Sequence, residues 1–481
     1  MLFIAETWRR WRLEQVIEIV LIAVAVGWCV MRFVGLESVP FGLSTDETLS
    51  GMHVECLAQT GKSADGQPWP LFATGLGGGL YSPTYLYTLF AWTRVFGISI
   101  SSIRGLSAAF SILAILGLGM LVRLLAGNRA ALLAMVAGAL SPWSFAVSRL
   151  AVDAPLTPAL VVWGTYLFLR SPRWPWAAAG AVVLTLAGYT YSPVRVQVAL
   201  LALLLLFVER KRLSAKRVLA FLGTPLIVGF PLAQRILDGS LLGRARALSI
   251  LTDDYIRDHR GHYSGPVFVV KQTLENLFEH LRPSYLLFTG DANIRHSTQI
   301  MGELGWLDIL AVGLFWVALG TLVWKAYRPP AGDWVPPSPR WPVAVAAVLV
   351  AAFGTLPAAL CWEGLPHALR SMAAWPAVSV FTGVTLAVLW SRSRLVPVIA
   401  LVLALAQTAR FVPFYFDVYP KESYSAWSGE LRAAAETRDP VKYAAVARNH
   451  PELGIGYYML LDFGLTCAEA QKRANRIASG R

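Results

Sequence analysis

The sequence predicts an all-α, polytopic integral membrane protein of about 11 transmembrane helices, with a long first external loop that contains interfacial helices. Three observations carry this expectation. Of 481 residues, 56% are hydrophobic and only 15% charged, against roughly a quarter charged in soluble domains, and mean hydropathy is +0.53. The apolar residues gather into runs approaching the ~20 residues that cross a bilayer. Many of the 18 tryptophans lie near the ends of these runs, among them Trp8, Trp11, Trp143, Trp174, Trp176 and Trp341. An indole, with an apolar body and a polar edge, favours the headgroup level.

The first span is expected near 15–35. Arg9, Arg10 and Arg12 precede it, which places the N-terminus in the cytoplasm by the positive-inside rule. No small-residue cleavage pattern follows, so the segment reads as a retained span and not as a signal peptide. A polar, Gly/Pro-rich external section occupies about 36–100, and within it residues 82–97 form a helix lying in the interface. Counting 82–97 as a crossing would put every later basic loop outside. As an interfacial helix it leaves Arg123 and Arg129, Arg170 and Arg173, and the Arg210–Arg217 cluster on the cytoplasmic side. The following spans are expected near 101–122, 130–148, 153–169, 175–190, 196–208 and 218–233.

A second external section, about 234–301, carries an amphipathic stretch around KQTLENLFEHL. Four further spans are expected near 303–323, 342–361, 371–389 and 394–409. The proline-rich loop KAYRPPAGDWVPPSPR and the Arg392/Arg394 turn connect them on the cytoplasmic side. Two regions result: a transmembrane domain at 1–410 and a short external tail at 411–481, with helix-forming stretches near 428–437 and 462–478.

The net charge of +13 would suggest nucleic acid in a soluble protein. In this chain much of the base lies in short loops between apolar runs, where it sets topology, so no nucleic-acid partner is expected. The scattered Cys29, Cys56, Cys361 and Cys467 form no zinc-type spacing. There is no GxxxxGK[ST] loop, and the glycines of GLGGG at 75–79 are not followed by a lysine.

On this topology the chemically useful residues collect on the external side. LSTDETLSG contains the adjacent carboxylates Asp46 and Glu47, and Tyr81 opens the interfacial helix. Arg149 and Asp153 bracket a short turn, and Tyr189, Tyr191 and Arg195 mark the next. Asp291, Asn293, Arg295 and His296 end the second section, and Glu363, His367 and Arg370 lie in EGLPHALRS. A carboxylate can deprotonate an acceptor as it attacks a sugar anomeric carbon, while Arg or His neutralises a departing phosphate. Each residue also has a plainer explanation. Asp46 and Asp153 are good helix caps, Arg149 and Arg195 could snorkel to headgroups, and His367 and Arg370 could share an ordinary helix face. A divalent cation such as Mg or Mn on Asp46, Glu47 or Asp153 is chemically open, because hard cations take carboxylate oxygens.

The acidic pair in a long first external loop, YSPTYLYTLFAWTRVFG, SIRGLSAAFSILAILGLGMLVRLL and SPWSFAVSRLAVDAP together resemble the GT-C superfamily of membrane glycosyltransferases. Within it they resemble the group of protein O-mannosyltransferases and lipid A aminoarabinose transferases. The resemblance covers most of 15–420. It departs where Ser44 and Thr45 precede the acidic pair in place of the family's frequent aromatic. It implies inverting transfer of a monosaccharide from a polyprenyl-phosphate donor to a lipid, glycan or protein acceptor at the outer face of a bacterial inner membrane. Asp46 would then act as general base, with Glu47 and Asp153 also in the catalytic group. Tyr81, Arg149, Arg195, Arg295, His296, His367 and Arg370 would form the pool that binds donor phosphate or substrate. The rival expectation is a transporter or lipid-carrier flippase, which calls for inverted repeats and polar sites at mid-membrane.

Overall fold

The computed structural model describes residues 2–75, 80–241, 243–327, 341–447 and 465–470, with the single positions 456, 458 and 472. Residues 76–79, most of the proline-rich loop and most of the helix expected at 462–478 lie outside the described residues. Among the described residues the chain is helical and forms no strand.

Helix α1 (Leu2–Met31) leads to α2 (Thr45–Thr60), whose start is a capping box. The Ser44 hydroxyl accepts the Glu47 N–H while the Glu47 carboxylate accepts the Ser44 N–H, and the helix stops at Gly61 with φ +68°. Helix α3 (Pro83–Phe96), with proline in its first turn, coincides with the helix expected at 82–97. It buries Tyr85, Leu86 and Leu89 and leaves Val95 and Phe96 exposed. Next come α4 (Ile100–Ala126), α5 (Asn128–Leu140), α6 (Pro142–Val147), α7 (Thr157–Leu169), α8 (Trp174–Thr190) and α9 (Val194–Val208). Helices α10 (Ala215–Val228) and α11 (Phe230–Leu237) meet at a 60° bend beside Pro225 and Gly229.

The second loop section holds α12 (Gly243–Leu248), α13 (Asp253–His259) and α14 (Gly265–Glu279). The late helices are α15 (Trp306–Tyr327), α16 (Trp341–Ala359), α17 (Ala368–Ser371), α18 (Trp375–Trp390) and α19 (Leu395–Pro413). The chain continues through α20 (Tyr419–Glu422), α21 (Gly429–Glu436) and α22 (Pro440–Ala447).

Five described segments are long and apolar enough to cross a membrane: Leu13–Met31, Ile100–Ala126, Pro342–Ala359, Ala368–Trp390 and Leu395–Glu422. The bent α10–α11 pair makes a sixth, and Asn128–Leu140, Ala154–Leu169, Val194–Val208 and Trp306–Leu319 are shorter apolar helices. The protein is therefore an integral membrane protein with at least five candidate spans, and length alone does not reach eleven. One reason is visible at 130–148, where Ser141–Pro142 divides the run into α5 and α6.

Helix α18 is the buried centre. Its Gly383 packs on Ala130 and Ala134 of α5, and Trp375 lies against Gly138. Small residues also set the α7–α8 contact, where a Cβ on Gly180 would sit 2.8 Å from the Gly164 carbonyl oxygen.

The expected tail boundary at 410 falls inside a helical run. Phe411, Tyr415 and Tyr419 extend one aromatic stripe, with Phe411 and Tyr415 packed against Phe145. The tail then folds back, and Leu431, Ala434, Ala435 and Tyr443 join α2 and α3 in one apolar cluster. A disulfide between Cys56 of α2 and Cys467, with Cα atoms 5.4 Å apart, fastens this packing.

Candidate active site

Two polar groups stand out, each assembled from segments far apart in sequence. The first surrounds Asp46 and Tyr81. Asp46, half-buried in the first turn of α2, sits where the helix dipole favours an anion. The Ser50 hydroxyl donates to the Asp46 carbonyl at 2.7 Å and to the Ala151 carbonyl at 3.2 Å, and is in close contact with the Tyr81 hydroxyl. Tyr81 in turn donates to the Asp46 carbonyl at 3.2 Å. Burial pushes the Tyr81 phenol well above its ordinary range, and the nearby charges of Asp46, Asp153 and Glu47 push it further. The hydroxyl therefore stays protonated, and carboxylates from two different loops act on it.

Arg195 is under the influence of the Asp153 charge. Burial lowers its pKa and the Asp153 charge opposes that shift. Its Nε donates to the Gly188 carbonyl at 3.1 Å and its Nη1 to the Ser192 hydroxyl at 3.3 Å.

Glu47 points the other way, into the protein. It and Arg104 are fully buried and joined by two contacts, at 3.0 Å and 3.2 Å. It also accepts the N–H groups of Ala151 and Ser44, each at 2.9 Å, and the Ser44 hydroxyl at 3.3 Å. Arg104 also holds the carbonyls of Leu36, Pro40 and Gly42 and lies over the Trp427 ring. Of the roles open to Glu47, positioning the loop fits this geometry. A metal role does not, because a guanidinium already occupies the carboxylate. Arg104 was missed from the sequence although a charged residue near the end of an apolar run is itself a signal.

Arg149 is corrected outright as a phosphate ligand. It is fully buried, and its two Nη groups donate to the carbonyls of Met31, Arg32, Val34 and Val39 at 2.7–3.0 Å. It satisfies the carbonyl end of α1 and the segment beyond it.

The second group joins the 289–303 loop to the 363–371 loop. The Asp291 carboxylate accepts the N–H groups of Ala368 at 2.8 Å and Asn293 at 2.8 Å, and meets His296 Nδ1 at 3.2 Å. His367 Nδ1 is 3.8 Å away, and the two imidazoles stack at 4.8 Å. Burial drives Asp291 up, but the His296 hydrogen bond and charge and the Asn293 N–H hold it below the usual carboxylate range. Burial, then His296 and Arg370, push His367 down to about 2, so that ring is neutral at physiological pH.

His280, which the sequence did not single out, accepts the His367 N–H at 3.1 Å. Arg370 is turned to Glu363, donating to its carbonyl at 2.6 Å and its carboxylate at 3.4 Å. Arg295 is half-buried, with Nε 3.4 Å from the Asn293 side chain. Trp143 donates to the Ala368 carbonyl and Tyr419 to the Ile294 carbonyl, tying this group to α6 and α20.

Asp291, His296 and His367 are also the described residues whose potential metal-ligand atoms converge, all within 4.8 Å of one another. A mixed imidazole and carboxylate set suits a transition metal better than Mg. As arranged it is a closed hydrogen-bond network, since His367 Nδ1 already takes the Arg370 N–H at 3.3 Å. The expected Asp46, Glu47 and Asp153 set is not the one that converges.

The family model for dolichyl-phosphate-mannose-protein mannosyltransferase matches residues 81–233. No curated protein matches the sequence significantly. Among solved structures, the Archaeoglobus fulgidus oligosaccharyltransferase in its apo form is similar at 15% identity and TM-score 0.50, over 89% of this chain and 58% of that one. The same organism's AglB in complex with an inhibitory peptide and a dolichol-phosphate is similar at 15% identity and TM-score 0.51, over 90% and 59%. ArnT from Cupriavidus metallidurans bound to undecaprenyl phosphate is similar at 15% identity and TM-score 0.47, over 96% and 75%. The chain thus spans less than two thirds of the length of the archaeal enzymes.

The fold resembles that of the archaeal oligosaccharyltransferase. The matched stretch at 81–233 adds a likeness to a mannosyltransferase family, and the two together support a membrane glycosyltransferase.

Proposed function

We propose that the protein transfers a monosaccharide, with inversion, from a polyprenyl-phosphate donor to a lipid, glycan or protein acceptor at the outer face of a bacterial inner membrane. The observation that carries this reading is the buried Tyr81 hydroxyl, bonded to the Asp46 carbonyl and in contact with Ser50, under the charges of Asp46 and Asp153, with Arg195 also under the charge of Asp153. Asp46 takes the acceptor proton as its oxygen or nitrogen forms the bond to the anomeric carbon. Asp153 and Tyr81 orient that nucleophile. Arg195 offsets the charge that develops on the leaving phosphate as the anomeric C–O bond breaks.

The Asp291, His296, His367 and Arg295 group is the second candidate contact for donor or acceptor, and the residues that would hold a divalent cation if one is used. A polyprenyl-phosphate donor is supported by the name of the matching family and by the dolichol-phosphate bound to the archaeal relative. A lipid-anchored donor also accounts for a site at the ends of apolar helices, because its tail leaves water on binding. Eleven spans, a cytoplasmic N-terminus and a tail acting with the transmembrane region complete the proposal.

The direct test incubates purified protein with a panel of polyprenyl-phosphate sugars, with and without chelator. Free polyprenyl phosphate and a glycosylated acceptor are expected. A panel that yields neither from well-folded protein, while the protein moves lipid carriers across vesicles, would favour the flippase.

The Cys56–Cys467 disulfide supports an outer-face location for α2 and the tail, since such bonds persist in the periplasm and not in a reducing cytoplasm. In spheroplasts, Cys56 and Cys467 are expected to resist an impermeant maleimide until a reductant is added. Labelling that stays absent after reductant and appears only once the membrane is permeabilised would place them on the reducing side.

A further inference from the structure

Helix α14 is amphipathic in the reverse sense for a helix lying on a protein in water. Its inward stripe, spaced by four, is largely polar: Phe268, Gln272, Asn276 and His280. Asn276 and His280 are each 3% exposed. Asn276 donates to the carbonyls of Ala359 at 2.8 Å and Cys361 at 3.0 Å, at the end of α16, and His280 accepts the His367 N–H. Its outward stripe is apolar: Val267, Val270, Leu274, Phe278 and Leu281 are 50–67% exposed. The two outward charges, Lys271 and Glu275, pair at 2.8 Å.

A water-facing helix puts its polar stripe outside. A helix against hydrocarbon turns its hydrogen-bonding groups into the protein and its apolar groups out, because an unpartnered polar group there has no water to meet. The surface next to it agrees. Helix α14 packs on α16, a candidate span whose Val345, Val348 and Leu349 are also about half exposed. Trp362, beside the end of α16, is exposed and stacks on Tyr255, a pairing suited to headgroup depth.

We propose that α14 is seated in the outer leaflet of the membrane, its apolar stripe against lipid acyl chains roughly 5–10 Å below the headgroup boundary, with Lys271 and Glu275 snorkelling along its flank. The occupant of this face is bilayer lipid. Since the opposite face holds His280 against His367, the bilayer fixes the height of the second polar group. This inference does not depend on which reaction the protein performs.

The test places a nitroxide on Val270→Cys or Phe278→Cys, in a Cys29→Ser/Cys361→Ser background, in phosphatidylethanolamine/phosphatidylglycerol nanodiscs. The reference is a label at exposed Asp254→Cys. Oxygen accessibility relative to a water-soluble nickel chelate is expected to rise severalfold over the reference. A ratio equal to the reference overturns the proposal in favour of water. Low accessibility to both reagents overturns it in favour of a protein partner or a second copy of the chain. In the unaltered protein, a lipid-dissolved aryl diazirine should modify the peptide covering 265–281, and its protection there would likewise overturn the seating. That measurement needs no variant to fold.

Discussion

Asp46→Asn is expected to lower sugar transfer by about 10²–10⁴-fold, the range a positioned general base contributes, while leaving expression and thermal unfolding close to those of the parent. Asparagine preserves shape at the first turn of α2 and can still interact with its dipole, but it cannot accept the acceptor's proton. The hydrogen bonds that hold the neighbourhood use the Asp46 backbone carbonyl, which receives Ser50 and Tyr81, so the exchange leaves them in place. The measurement is release of free polyprenyl phosphate by the purified variant beside its melting curve. Undiminished transfer by a well-folded Asp46→Asn would remove Asp46 from the chemistry and leave it a helix cap.

The adjacent residue should fail in the opposite manner. Glu47→Gln takes the counter-charge from Arg104 while both positions stay out of water, and breaking a buried pair on one side costs about 3–5 kcal/mol. The loss should appear as reduced yield of monodisperse protein and a lower unfolding temperature. The same carboxylate joins Ser44, Ala151 and Arg104, and Arg104 gathers the carbonyls of Leu36, Pro40 and Gly42. Arg104→Ala should reproduce the defect, since it strands the glutamate in turn. A Glu47→Gln protein as stable as the parent yet inactive would move Glu47 from positioning into the reaction.

Tyr81, Asp153 and Arg195 were legible as candidates because polar residues beside apolar runs need a reason to be there. Arg149 carried the same local signature and proved to be a clasp on the carbonyls beyond α1, because nothing in its own neighbourhood reveals which backbone will reach it. His280 was hidden for a related reason. It belongs to an amphipathic stretch whose periodicity is plain in the sequence, but only packing shows that the polar stripe faces inward. The tail shows the same divide. Its helix near 428–437 was foreseeable from composition, whereas its return onto α2 and α3 and the joining of Cys56 to Cys467 link residues 411 positions apart.

The sequence by itself determined the membrane class, the helical composition, a helix close to the one observed at 83–96 and the resemblance to GT-C glycosyltransferases. Hydropathy, periodicity and capping are properties of neighbouring residues, and each can be read within a turn or two of chain. Tertiary structure alone decided that of two adjacent carboxylates Asp46 stays half-exposed near Tyr81 while Glu47 is sealed against Arg104. Successive residues of a helix point about 100° apart, so the two must face different surroundings. Which face meets the buried arginine depends on where the distant helix α4 packs.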